Sequence, residues 1–241
     1  MDIWSKAITF GALCDIFEAV SKQSDKIEKM LVLLDFARYC RSALEMASNV
    51  VEDSLFPVIR LFLPQLDRER GSYGINESHL AQFFIDLLNI SASSVDAQRL
   101  MNYKTPKSAS NATFNDFASV LFDVLKNFNY SRPRTPITLF EVNENLDKVA
   151  VNSQKKGVNE ILIYLFRKMD ATMFKWLGRI ILKDVKIGLS QTKVFNQFHA
   201  DATDLYETTN ATFRNVCQLL KDPNTWLCDL KIPYDAKSKA F

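Results

Sequence analysis

Apolar residues recur at helical spacing along nearly the whole chain. Ile3, Ala7, Phe10, Leu13, Cys14, Phe17 and Val20 fall on one face of a helix over residues 3–21, and Ile27, Met30, Leu31, Leu34 and Ala37 do the same over 26–44. The two predict an antiparallel pair. A groove between them, with Phe10, Leu13, Phe17, Leu33 and Leu34, is a candidate partner site, and packing against the third helix is the competing fate of the same faces. That third helix runs from about Val51 to Leu61, with Pro57 where it must bend or restart and Pro64 at its end. Beyond Gly74 a helix buries Leu80, Phe83, Phe84, Leu87 and Leu88, and others cover 116–128 and 138–152, the latter opened by a Thr138/Glu141 capping box. Residues 158–168 and 171–182, the second carrying Trp176, predict a central buried pair. A helix opens at Ser190, and one or two more fill 201–220. From Trp226 the tail loses helical period and predicts an exit strand or linker. The pattern predicts one all-α multi-helix domain of about ten to twelve helices over residues 1–230, followed by a linker over 231–241.

Two of these helix starts share one pattern. Gly74-Ile75-Asn76-Glu77-Ser78-His79-Leu80 and Gly188-Leu189-Ser190-Gln191-Thr192-Lys193-Val194 match position by position: glycine, aliphatic, small polar cap, acid or amide, hydroxyl, variable, aliphatic. Arg68 and Arg70 precede the first copy, Lys183 and Lys186 the second. The first turn of a helix presents unbonded amides and a positive dipole end, so a phosphate fits there and flanking cations strengthen it. An ordinary capped helix start has the same outline. The repetition implies an internal pseudo-two-fold arrangement of helix pairs, and paired phosphate sites match the two strands of a duplex. Asp67 and Glu69 offset the arginines of the first copy, which leaves the second as the stronger candidate.

Composition narrows the partners. Glycine (6) and proline (7) are scarce, against a turn-rich β architecture. The net charge of +2 conceals an uneven distribution: residues 1–98 hold nine Lys and Arg against fourteen Asp and Glu, net −5, whereas 155–193 hold nine against three, net +6. A basic patch is therefore compatible with a near-neutral total. The four cysteines lie far apart with two histidines in the whole chain, which argues against a zinc site and for a reducing compartment, cytosol or nucleus. The sequence opens without a signal peptide, and no apolar run approaches the ~20 residues of a membrane span.

Asn102, Tyr103, Lys104 and Thr105 occupy a helix end that runs into an extended loop before Pro106, and all four carry donors suited to phosphate, sugar or minor-groove edges. A polar connector is the alternative. No Walker loop, no H-E-x-x-H and no Lys-x-Asp-Gly is present, since no glycine follows Gly188. Neither a catalytic residue nor a cofactor or metal site is predicted.

Leu55-Phe56-Pro57-Val58-Ile59-Arg60-Leu61-Phe62-Leu63-Pro64-Gln65-Leu66-Asp67-Arg68-Glu69-Arg70-Gly71-Ser72-Tyr73-Gly74-Ile75, Leu100-Met101-Asn102-Tyr103-Lys104-Thr105-Pro106 and Trp176-Leu177-Gly178-Arg179-Ile180-Ile181-Leu182-Lys183-Asp184-Val185-Lys186-Ile187-Gly188-Leu189-Ser190-Gln191 together resemble the N-terminal DNA-binding domain of eukaryotic ATP-dependent DNA ligases, closest to the ligase IV branch of non-homologous end joining. The resemblance covers essentially the whole chain. It implies a helical domain that grips the minor groove and backbone of nicked or broken duplex DNA in the nucleus, through Arg70, Tyr73, Gly74, Asn102, Tyr103, Lys104, Thr105, Lys183, Lys186, Gly188, Ser190, Gln191 and Lys193. It also implies that the adenylation lysine, ATP and magnesium belong to a nucleotidyltransferase domain beyond Phe241, so that the fragment is not itself an enzyme. An end-processing nuclease, Artemis, docking at the first helices is a further implied partner. A helical HEAT-like interaction scaffold remains the alternative that the amphipathic pairs alone permit.

Overall fold

Twelve α-helices and two short 3₁₀ turns form among the residues that the computed structural model describes, which are 3–47, 54–104, 116–128, 136–152, 154–209 and 212–230. The helices are α1 (Phe10–Lys22), α2 (Lys26–Ala47), α3 (Phe56–Phe62), α4 (Glu77–Leu87), α5 (Val95–Met101), α6 (Phe117–Asn127), α7 (Leu139–Val151), α8 (Lys155–Phe166), α9 (Ala171–Ile181), α10 (Gln191–Phe198), α11 (Ala202–Thr208) and α12 (Phe213–Leu219). Side-chain caps start many of them: Thr9, Asn76, Ser94, Asp170, Ser190 and Thr212 each accept the amide three residues on. Among the described residues the sole β feature is an antiparallel bridge between Thr9 and Thr138. The helices fall into two compact units, residues 1–69, 138–143 and 185–241 in the first and 70–137 and 144–184 in the second.

In the first unit α1 lies against α2, and α10 packs on α2 and α3. Phe62 is the hub, its ring 4.7 Å from Phe17, 6.1 Å from Phe36 and 5.7 Å from Phe198. The predicted helix over 3–21 is divided: a 3₁₀ turn covers Ile3–Lys6, and α1 begins only after Thr9. The break has a cause, because the Ile8 carbonyl accepts the Leu139 amide at 2.9 Å, which demands extended backbone there. The buried stripe of α2 is also rotated from the predicted one. Lys29, Leu33, Phe36, Ala37 and Cys40 face inward, while Ile27 and Leu31 are 62% and 54% exposed. Pro57 sits in the first turn of α3, where no intrahelical N–H bond is required, so it starts the helix rather than bending it. Near the end of the chain Trp226 leads into a 3₁₀ turn, Leu227–Asp229, instead of a strand, and the Asp201 carboxylate accepts the Leu227 amide at 2.8 Å. Residues 231–241, the predicted linker, lie outside the described residues.

The second unit is built on α9, whose neighbour along its length is α6 rather than the predicted α8. Small residues allow the crossing: a Cβ built on Gly178 would lie 3.8 Å from the Ala118 Cβ. The Arg179 guanidinium donates to Asp116 Oδ2 at 2.9 and 2.5 Å, on the residue that opens α6, which places a carboxylate at a helix N-terminus and pairs a nearly buried cation. α8 meets α9 at Phe166, 5.6 Å from Phe174, and both rings close on Phe84 of α4.

Candidate nucleic-acid interface

Both copies of the repeated helix start exist, one in each unit, with matching backbone. Gly74 and Gly188 adopt φ of +64° and +73°, the left-handed region where a side chain is strained. Each is followed by an aliphatic residue and then an extended cap: Asn76 Oδ1 accepts the His79 amide at 2.8 Å and Ser190 Oγ accepts the Lys193 amide at 3.3 Å. Because the cap satisfies the third amide of the turn, the first two of α10, on Gln191 and Thr192, have no intrahelical acceptor.

In the first unit Val185 and Ile187 are buried and act as apolar pegs that hold the loop before α10, while Lys186, Gly188, Ser190, Gln191 and Lys193 are exposed. Lys186 itself adopts φ +54°. A further cation lies under this loop. Lys29 Nζ donates to the Ile187 carbonyl at 2.7 Å, with the residue only 8% exposed. A Cβ on Gly188 would lie 2.5 Å from that ammonium and displace it, so substituting the glycine strains its φ and disturbs Lys29 together and is not a clean probe of phosphate contact. Sequence reasoning missed Lys29. Its signal was a lysine four residues before Leu33 on the stripe that continues to Phe36 and Cys40, an inward-facing position that a solvated lysine does not occupy.

In the second unit the candidates divide. Arg70 is turned inward: its Nε donates to Asp147 Oδ1 at 2.8 Å and its side chain is 2% exposed, which removes it from the surface where a phosphate would lie. Tyr73 is buried as well, its ring beneath the Lys183 ammonium at 5.7 Å from the centroid. Lys183 thus stands beside the first glycine turn in this unit. A cleft of about 420 Å³ adjoins that turn, lined by Tyr73, Gly74, His79, Asn152 and Lys155. Asn102 and Lys104 are exposed, and the Tyr103 hydroxyl donates to Glu77 Oε1 at 2.8 Å in the first turn of α4. Partial burial, then this bond to an acid, raises the Tyr103 pKa. The carboxylate weakens the first copy as an anion site. Thr105 lies outside the described residues.

The candidate partner groove is largely interior. Phe10, Leu13, Phe17 and Leu33 are fully buried in the first unit, because the α1 and α2 stripes face each other and Phe62, and only Leu34 of the five reaches the surface in part. Cys14, Cys40 and Cys217 are buried, and burial pushes the Cys40 thiol up to about 12 and raises Cys217 further, which disables thiolate chemistry at both. Among the described residues no group of three or more His, Cys, Asp or Glu could hold a metal, and no helix is long and apolar enough to cross a membrane.

Residues 9–199 match the family described as DNA ligase N terminus. The chain is 39% identical over 235 residues to DNA ligase 4 of Gallus gallus, an overlap of 93% of this chain and 25% of that protein. It is 37% identical over 235 residues to DNA ligase 4 of Homo sapiens, with the same coverage, and 35% identical over 224 residues to DNA ligase 4 of Arabidopsis thaliana, 90% of this chain and 17% of the relative. The chain spans a quarter or less of the length of these curated relatives.

Proposed function

The chain belongs to the DNA ligase N-terminal family, and on that premise we propose that it binds double-stranded DNA without sequence preference, through backbone and minor groove around a nick or broken end. In this reading it is the DNA-gripping part of a longer, ligase IV-like enzyme that joins double-strand breaks in the nucleus by non-homologous end joining. ATP, magnesium and the adenylation lysine belong to the rest of that parent, so residues 1–241 hold DNA and neither take up AMP nor seal nicks. The observation that carries the proposal is the start of α10, where exposed Lys186 and Lys193 flank a left-handed glycine and open helix amides. These groups suit phosphate rather than base edges, because they are ammonium groups and backbone amides at a helix start rather than a helix of Arg, Asn and Gln aimed at base edges.

Titration of nicked and intact duplexes across a salt series tests it. Affinity falls steeply with salt, each contacted phosphate adding roughly 0.9 to the slope of log K against log salt. Lys186→Glu weakens binding about three- to tenfold and lowers the slope by about one. Binding indifferent to salt, or untouched by Lys186→Glu, would refute the reading. A HEAT-like scaffold without DNA affinity would show no duplex binding at all.

A further inference from the structure

We propose that Lys29 is the buried cation of a phosphate site at the start of α10, a contribution from α2 to DNA binding that the helix-start pattern does not contain. The inference rests on the DNA-binding reading above. Lys29 is more than nine-tenths buried, and its ammonium donates to the Ile187 carbonyl at 2.7 Å. No carboxylate among the described residues lies within ion-pair distance of it. The other inward-facing cations of comparable burial among the described residues, Arg60, Arg70 and Arg179, are paired with Asp67, Asp147 and Asp116 at 2.8, 2.8 and 2.5 Å. A buried charge left without a counter-charge costs folding free energy, and an anion held against it offsets that cost.

Position identifies the source. The ammonium sits directly beneath Gly188, at 2.5 Å from where a Cβ would be, and Gly188 is exposed on its other side. An anion resting on the Gly188 backbone and the first amides of α10 is therefore separated from the Lys29 charge by the thickness of one peptide. Through so little intervening material, and shielded from water, the attraction is stronger than that of a solvated surface lysine. Lys186 and Lys193 flank the same turn from the solvent side, which makes the site one of converging positive charge open to a single face. The ligand of that chemistry is a phosphodiester of the duplex backbone. Lys29 acts on it through the loop, as a positioning and charge-supplying residue.

Two variants separate charge from support. Lys29→Gln keeps a donor for the Ile187 carbonyl and removes the charge; Lys29→Met removes both. Each is measured for melting temperature and for nicked-duplex affinity over a salt series beside the unchanged chain. The proposal expects both variants to bind about three- to tenfold more weakly at low salt with a shallower salt slope, while Lys29→Gln melts no lower than the unchanged chain. A support role alone predicts the reverse, a lower melting temperature or failure to fold with the affinity of the folded fraction unchanged, and that result overturns the proposal. Affinity lost in Lys29→Met and kept in Lys29→Gln assigns the effect to the hydrogen bond and overturns it too. If the unchanged chain fails to bind duplex, the DNA reading falls first and this one with it; if it binds with steep salt dependence and neither variant differs, only the Lys29 assignment falls.

Discussion

Lys183 holds a conformation that its side chain does not favour. It follows the last turn of α9 at φ +58°, its amide bonded to the Ile180 carbonyl and the next amide, of Asp184, bonded to Arg179, the two-bond helix terminus at which glycine is usual. Lys183→Gly is expected to relieve about 1 kcal/mol of strain, a rise of about 2–4 °C in melting temperature for a chain of this length. The same change removes the ammonium above Tyr73, so duplex affinity falls as stability rises, and thermal melts with titrations on one preparation show both. His199 gives the pH counterpart. Its Nδ1 accepts the Asp201 amide at 3.1 Å, and burial, aided by Arg41, lowers its pKa against the opposing pull of Asp201 and Asp222. With the folded value below the unfolded one, the stabilising contribution is complete above an unfolded pKa of about 6.5 and is lost as pH falls through that value toward the folded one. His199→Asn keeps an acceptor and does not titrate. Its melting temperature is expected to decline less than that of the unchanged chain between about pH 7 and pH 5, and equal declines would count against the assignment.

α2 holds α10 at both ends. Lys29 donates to the carbonyl of Ile187 before the helix starts, and Arg41 donates to the carbonyl of Phe198 at its last turn, a cation where the dipole is negative. An eight-residue helix is marginal by itself, so this bracing and the burial of Val194, Phe195 and Phe198 keep its exposed start in place. In the second unit the corresponding constraint is the α6–α9 crossing at Gly178. Here Gly178→Ala is expected to stabilise by up to about 1 kcal/mol, since the new methyl meets Ala118 at an ordinary distance and helix propensity improves. Gly178→Leu overfills the crossing and is expected to cost about 1–3 kcal/mol. Denaturant melts distinguish the two, and a stabilised leucine variant would show that the crossing is looser than its geometry.

Across the whole chain, charge is segregated rather than abundant. A net of +2 over 241 residues gives weak long-range attraction, so on the proposed reading the salt dependence of duplex binding is expected to come from local clusters such as Lys186 and Lys193. The salt slope would count the proposed phosphate contacts directly, which makes it a better test of that reading than affinity at one condition.

The helical class, most helix positions and both glycine starts were legible in sequence, because caps, apolar period and left-handed glycines act within a few residues and leave a local signature. Thr138, Asn76 and Ser190 cap where their spacing predicted. Local pattern could not say which of two overlapping stripes on α2 faces inward. Leu33 and Lys29 prevail over Ile27 and Leu31 because α1, α3 and α10 close on that side, and those neighbours are distant in sequence. For the same reason the local sequence presents Arg70 as a surface cation, whereas Asp147, far along the chain, draws it inward. Charge type and helix period are properties of a segment. Which cation is paired with an acid, and which bonds a carbonyl beneath a glycine, depends on what long-range packing brings within a few ångströms.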